Sequence, residues 1–116
     1  MASEARIRAT IEAHVAAVGA ADAAAVADLY AAEAEVEDPA GTTVATGRPA
    51  IRRHFAEVLT EAREMEMVFV AVIGDRAAFH FRATPSNGPT RDVIDTMTFD
   101  DEGAIMSMHA YAANLG

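Results

Sequence analysis

The 116-residue chain contains no cysteine, and it contains no lysine either, because its nine basic residues are all arginine. Without cysteine there is no disulfide framework, thiol nucleophile, thiolate zinc site or iron–sulfur cluster. Without lysine, the phosphate-loop and Schiff-base chemistries that need an ammonium drop out. Positive charge is scarce altogether: nine basic against 18 acidic residues leave a net charge of −9, which disfavours DNA, RNA and anionic membrane surfaces as partners. No apolar run approaches the ~20 residues that span a bilayer. The N-terminal segment MASEARIRATIEAH lacks the apolar stretch of a signal peptide, so the sequence reads as a mature cytoplasmic chain. No repeat, linker or low-complexity segment interrupts it, and with 52% hydrophobic residues it can bury a core. Residues 1–116 therefore read as a single domain.

The hydrophobic period changes along the chain from about 3.6 to about 2 residues. Ile7, Ile11, His14 and Val18, with Val15 beside them, form one stripe of an amphipathic helix, which turns His14 inward. Gly19 breaks it, and Asp22 suits the N-cap of a second short helix whose buried face is Val26, Leu29 and Tyr30. From Glu33 the pattern alternates, with Ala34, Val36 and Asp38 on one strand face and Glu33, Glu35 and Glu37 on the other. Pro39 and Gly41 end that strand. A third helix starts near Arg48-Pro49, with Ile51, Phe55, Val58 and Leu59 as its stripe. The remainder reads as a strand meander: Met65 to Ile73, Ala77 to Thr84, Thr90 to Phe99 and Ala104 to Tyr111, joined by turns at Gly74-Asp75, 85–89 and 100–103. Helices first and strands later give an α+β fold, with the helices on one face of a curved, mostly antiparallel sheet. A cavity between helix and sheet would suit a small apolar ligand.

Two carboxylates interrupt apolar faces. Asp95 alternates with Val93, Met97 and Phe99, so desolvation should raise its pKa and favour a protonated, hydrogen-donating form. The alternative is a buried partner, an arginine or a backbone amide. Asp38 reads either as a turn initiator before Pro39 or as a charged base. A charged base and a neutral acid together are what proton transfer beside a carbonyl requires. Spacing alone does not bring His14, Asp38 and Asp95 together.

The segments AHVAAVGAADAAAVADLYAAEAEVEDPAG, TGRPAIRRHF and DVIDTMTFDDEGAIMSMHAY resemble, over nearly the whole chain, the ketosteroid isomerases of the NTF2-like superfamily. The resemblance implies an NTF2-like (cystatin-like) cone with three N-terminal helices, and a cofactor-independent steroid delta-isomerase acting through a dienolate. It makes Asp38 the general base and Asp95 the protonated oxyanion-hole donor, the neutral acid for which that family is known. His14 stands where the family has a tyrosine, and a neutral imidazole N–H could replace that donor; its other reading is a core histidine. An imidazolium there would compete as a partner for either aspartate. Phe55 stands where a supporting tyrosine is common, so the hydrogen-bond network looks shortened and Tyr30 reads as core. Ala112 replaces a bulky aromatic of the pocket. Phe55, Phe81, Val93, Met97, Met106, Met108 and Ala112 are the candidate substrate-lining residues. The implied partners are a small apolar ketone, a steroid above all, and a second copy of the chain meeting on the outer sheet face.

Other signals are weaker. His54, His80 and His109 have no metal-ligand spacing, so no metal is expected. The interval from Gly41 to Gly47, followed by Arg48, fails the phosphate-loop pattern and reads as a turn and helix start. Ser3, Ser86 and Ser107 lie in no nucleophile elbow. The acidic runs 33–37 and 100–102 read as a solvated strand face and a turn. Two other readings stay open: an NTF2-like cyclase or hydratase using the same acid and base, and a noncatalytic binder of small apolar ligands.

Overall fold

The structure, a computed structural model, describes residues 1–113. Helix α1 (Glu4–Gly19) starts where the Ser3 hydroxyl accepts from the Arg6 amide, and its stripe of Ile7, Ile11, His14 and Val15 is buried. Helix α2 (Ala23–Ala27) is capped by Asp22, whose carboxylate accepts from Ala25 N–H. Strand β1 (Tyr30–Glu37) follows, then β2 (Thr43–Thr46), helix α3 (Arg48–Val58) with proline in its first turn, and strands β3 (Arg63–Ile73), β4 (Arg76–Pro85), β5 (Arg91–Phe99) and β6 (Ile105–Ala113). Among the described residues no helix is long and apolar enough to cross a membrane.

All six strands form one sheet in the order β2-β1-β6-β5-β4-β3. The meander β3 to β6 is antiparallel, as the turn signals predict, but β1 joins β6 in parallel, which makes the sheet mixed. The register sets which side chains meet inside. Val93, Asp95 and Met97 of β5 stand opposite Phe81, Phe79 and Ala77 of β4 and opposite Ala112, Ala110 and Met108 of β6. A register shift in β3 between Met67 and Phe69 passes the inward face from Met65 and Met67 to Val70 and Val72, and leaves Phe69 exposed. Helix α1 packs on β3 and α3 on β1, closing one face of the sheet over the core.

Three sequence expectations are corrected. Tyr30 opens β1 rather than closing α2: it pairs with Ile105, 75 positions away in the chain, and no local pattern reports such a long-range partner. The segment expected to be only a turn and helix start contains β2, an edge strand of four residues, too short to show a period. Val58, expected in the stripe of α3, is 46% exposed because it ends the helix at the rim of the cavity described below.

Candidate active site

Between α1, α3 and the inner face of the sheet lies a cavity of about 310 Å³, lined among others by His14, Asp38, Phe55, Phe81, Val93, Asp95, Met108 and Ala112. The three polar residues singled out from sequence thus line one apolar space, although they come from α1, the end of β1 and the middle of β5. Met97 does not join them: it is buried, but outside the lining, one pleat beyond Asp95. Met106 is also outside, exposed next to the start of β6.

Asp95 sits where the alternation of β5 places it, between Phe79 and Ala110 on the flanking strands. Burial, reinforced by the negative charge of Asp38, raises its pKa from 3.8 to about 8, so the carboxyl is neutral at pH 7. Among the described residues no arginine or amide bonds to its Oδ1, which is buried without a hydrogen-bond partner. A buried polar group in that state costs free energy until a ligand supplies the missing bond.

Asp38 occupies a different environment. Its backbone N–H donates to the Thr42 carbonyl at 3.0 Å across a turn that the Thr42 N–H closes on the Pro39 carbonyl, so it flanks the turn, while its side chain, 42% exposed, lines the cavity. The turn and the site are therefore one arrangement rather than rival readings. His54 of α3 places Nε2 3.5 Å from Asp38 Oδ2, and that nitrogen is buried with no hydrogen bond. The ring packs edge-on against Phe55, with centroids 5.2 Å apart.

His14 is buried, and desolvation lowers its pKa to about 4, so at pH 7 it is a neutral imidazole rather than a competing cation. Its Nε2 lies 2.9 Å from the hydroxyl of Tyr30, whose ionisation is pushed well above its usual range, chiefly by burial and then by the charges of Asp95 and Asp38. The phenol thus keeps its O–H and shares a hydrogen bond with His14 whose direction follows the tautomer of the imidazole. When it donates to Nε2, the ring proton resides on Nδ1, leaving Nδ1–H as the group His14 can offer the cavity. Phe55 packs on both rings, edge-on to His14 at 6.0 Å and tilted to Tyr30 at 6.3 Å. The expectation that Tyr30 is core alone is corrected: it is fully buried and also linked to the site through His14.

Four contributors escaped sequence reading. Tyr30 and His54 reach the site through rings whose neighbours only the tertiary fold supplies. Arg63 and Arg91 line the cavity as well, and their signal was legible: each continues the inward alternation of its strand, as residue i of 63, 65, 67 and of 91, 93, 95. Among the described residues no cluster of three or more His, Cys, Asp or Glu side chains could hold a metal ion.

Comparison with known proteins gives a consistent picture. Residues 11–108 match the family model of the SnoaL-like domain. A curated relative, the Steroid Delta-isomerase of Nocardioides simplex, is 37% identical over 112 residues, which is 94% of this chain and 91% of that protein. Among solved structures, an epoxide hydrolase/cyclase-like enzyme, SalBIII, of pyran ring formation in the polyether salinomycin superposes with a TM-score of 0.82 at 24% identity, covering 98% of this chain and 95% of the other. A protein of unknown function with a cystatin-like fold from Methylobium petroleophilum reaches a TM-score of 0.79 at 18% identity, covering 99% and 80%. At those identities the two structures establish the fold alone.

Proposed function

Because the chain belongs to the SnoaL-like family, with its NTF2-like α+β fold, we propose that it is a steroid delta-isomerase that shifts the Δ5 double bond of a 3-oxosteroid to Δ4. The observation that carries the reading is the division of labour in one apolar cavity: a half-exposed carboxylate, Asp38, facing the same space as a buried neutral acid, Asp95. The substrate ketone lies against Asp95, whose O–H donates to the carbonyl oxygen, with His14 Nδ1–H as second donor. Asp38 removes a proton alpha to the ketone. The resulting dienolate is stabilised where its oxyanion meets preorganised donors in a dry site. Asp38 then returns the proton two carbons along, so substrate and product balance and no cofactor is consumed. The relative named a steroid delta-isomerase supports the reaction class.

The test is the growth of conjugated enone absorbance when the protein meets 5-androstene-3,17-dione. The Asp38→Asn variant is expected to lose about 10² to 10⁴ in rate, the usual worth of a positioned base. His14→Tyr is expected to turn over faster than the parent, because an imidazole is the weaker oxyanion donor in this place. Activity is expected to fall as pH passes about 8, where Asp95 loses its proton. A protein indistinguishable from the uncatalysed rate, with the His14→Tyr variant equally inert, would defeat the proposal. The same reading includes a dimer formed on the outer face of the sheet, where Phe69, Ile73 and Tyr111 are exposed, and sedimentation showing only monomer at micromolar concentration would refute that part.

A further inference from the structure

The cavity is polar at two levels, and the isomerase reading uses only one. Its floor carries Asp95 and His14. Its mouth is made where elements begin and end: Val18 of α1, Val58 at the end of α3 and Leu59 after it, Ala83 of β4, Ala112 of β6, and two arginines, Arg63 at the start of β3 and Arg91 at the start of β5. Both arginines stand where the alternation calls for an inward, apolar side chain. Neither forms an ion pair among the described residues, in a protein with twice as many acidic as basic residues. Arg63 Nε is buried with no acceptor, and its guanidinium makes one long bond, 3.4 Å, from Nη2 to the Glu61 carbonyl.

We propose that the substrate of this cavity is a fused-ring ketone carrying a carboxylate at the end remote from the ketone, held by Arg63 and Arg91. The proposal rests on the isomerase reading for the ketone end and extends it to the other. Asp95 lies four positions beyond Arg91 on β5, about 13 Å of extended strand, which is room for a fused-ring skeleton lying along the inner face. A guanidinium presents a planar fork of donors that matches a carboxylate in both geometry and charge, which a lysine would not. The unpaired Nε of Arg63 then gains its acceptor on binding rather than in the empty protein. The two cations also offset, locally, the repulsion that a protein of net charge −9 exerts on an anionic ligand.

Equilibrium binding tests this without requiring turnover. The probes are 3-oxoandrost-4-ene-17β-carboxylic acid, already conjugated and therefore inert, and its methyl ester, titrated calorimetrically at low and high salt. The acid is expected to bind about tenfold tighter than the ester, a typical return for charge-assisted hydrogen bonds. The preference is expected to shrink at high salt and to disappear in the Arg63→Gln/Arg91→Gln double variant. The exposed Arg91→Gln change alone, which leaves buried packing intact, is expected to remove part of it. Equal binding of acid and ester, or a preference that survives in the double variant, overturns the proposal. Enone formation from the Δ5 forms of both probes keeps the two readings apart: preference for the acid with no turnover of either sinks the isomerase and keeps the carboxylate site, whereas turnover with equal binding does the reverse.

Discussion

Asp38 and Asp95 share a cavity but not a solvent. Asp38 stands at a strand end with water on one side, whereas Asp95 is only 3% exposed, between apolar neighbours, and its charge is disfavoured first by that burial and then by the charge of Asp38. Around this pair the supporting side chains are rings: His14 on Tyr30, Phe55 on both, and His54 on Phe55 and Asp38. His54 is the one whose removal discriminates a positioning role from packing. Its Nε2 lies 3.5 Å from Asp38 Oδ2, a polar contact rather than a hydrogen bond, and that contact limits the orientations of the carboxylate. His54→Phe, which keeps a ring against Phe55, is expected to lower kcat about 2- to 10-fold with little change in KM, the worth of a polar contact no stronger than one hydrogen bond. Steady-state kinetics check this, with His54→Gln, which retains an N–H, recovering part of the loss. An unchanged kcat in His54→Phe would reduce His54 to packing.

At the scale of elements, the two-residue period of β5 made Asp95 legible, because a carboxylate flanked at i±2 by Val93 and Met97 can face only the inside of the sheet. The helical stripe did the same for His14. What sequence could not supply were contacts between distant segments. The parallel pairing of β1 with β6 takes Tyr30 out of α2 and brings its hydroxyl to His14, and the four-residue β2 exists only because β1 offers it an edge. Asp38 is ambiguous for a local reason, since an aspartate beside a turn and a cavity-lining one have the same sequence signature, and here one residue is both. Met97 was misplaced because alternation gives the face, while only the position of the helices decides how far the open part of that face extends. The end of α1 shows how tightly helix and sheet are joined. A Cβ on Gly19 would lie 2.6 Å from Met65 Cγ and 3.2 Å from the Arg63 carbonyl. Gly19→Ala is therefore expected to destabilise the protein by about 1 to 3 kcal/mol through overpacking, seen as a lower midpoint in urea with an unchanged slope. An unchanged midpoint would mean that α1 shifts on β3 at no cost.

For the whole molecule, the two buried titrating groups oppose each other in their effect on stability. His14 is neutral when folded but takes up a proton when unfolded between about 6.5 and about 4, so its contribution is lost as pH falls through that window. Asp95 holds a proton when folded and releases it when unfolded from 3.8 upward to about 8, so its contribution is lost as pH rises. The two slopes cancel between about 4 and 6.5, and above 6.5 only that of Asp95 remains. Relative to Asp95→Asn, the parent protein is expected to lose stability from pH 6.5 to 8, by at most about 1.4 kcal/mol per pH unit. Urea unfolding of both proteins across that range checks this, and parallel curves would contradict it.

The central claim is that Asp95 stays protonated at neutral pH in the cavity it shares with Asp38. The most direct measurement is carbon-13 NMR of protein labelled at the aspartate side-chain carboxyls, titrated from pH 4 to pH 9. The account predicts one carboxyl resonance titrating near pH 8, present in the parent protein and missing from Asp95→Asn. If every aspartate carboxyl has already ionised by pH 6, Asp95 is a charged group at neutral pH and cannot serve as the neutral acid, so the division between acid and base fails.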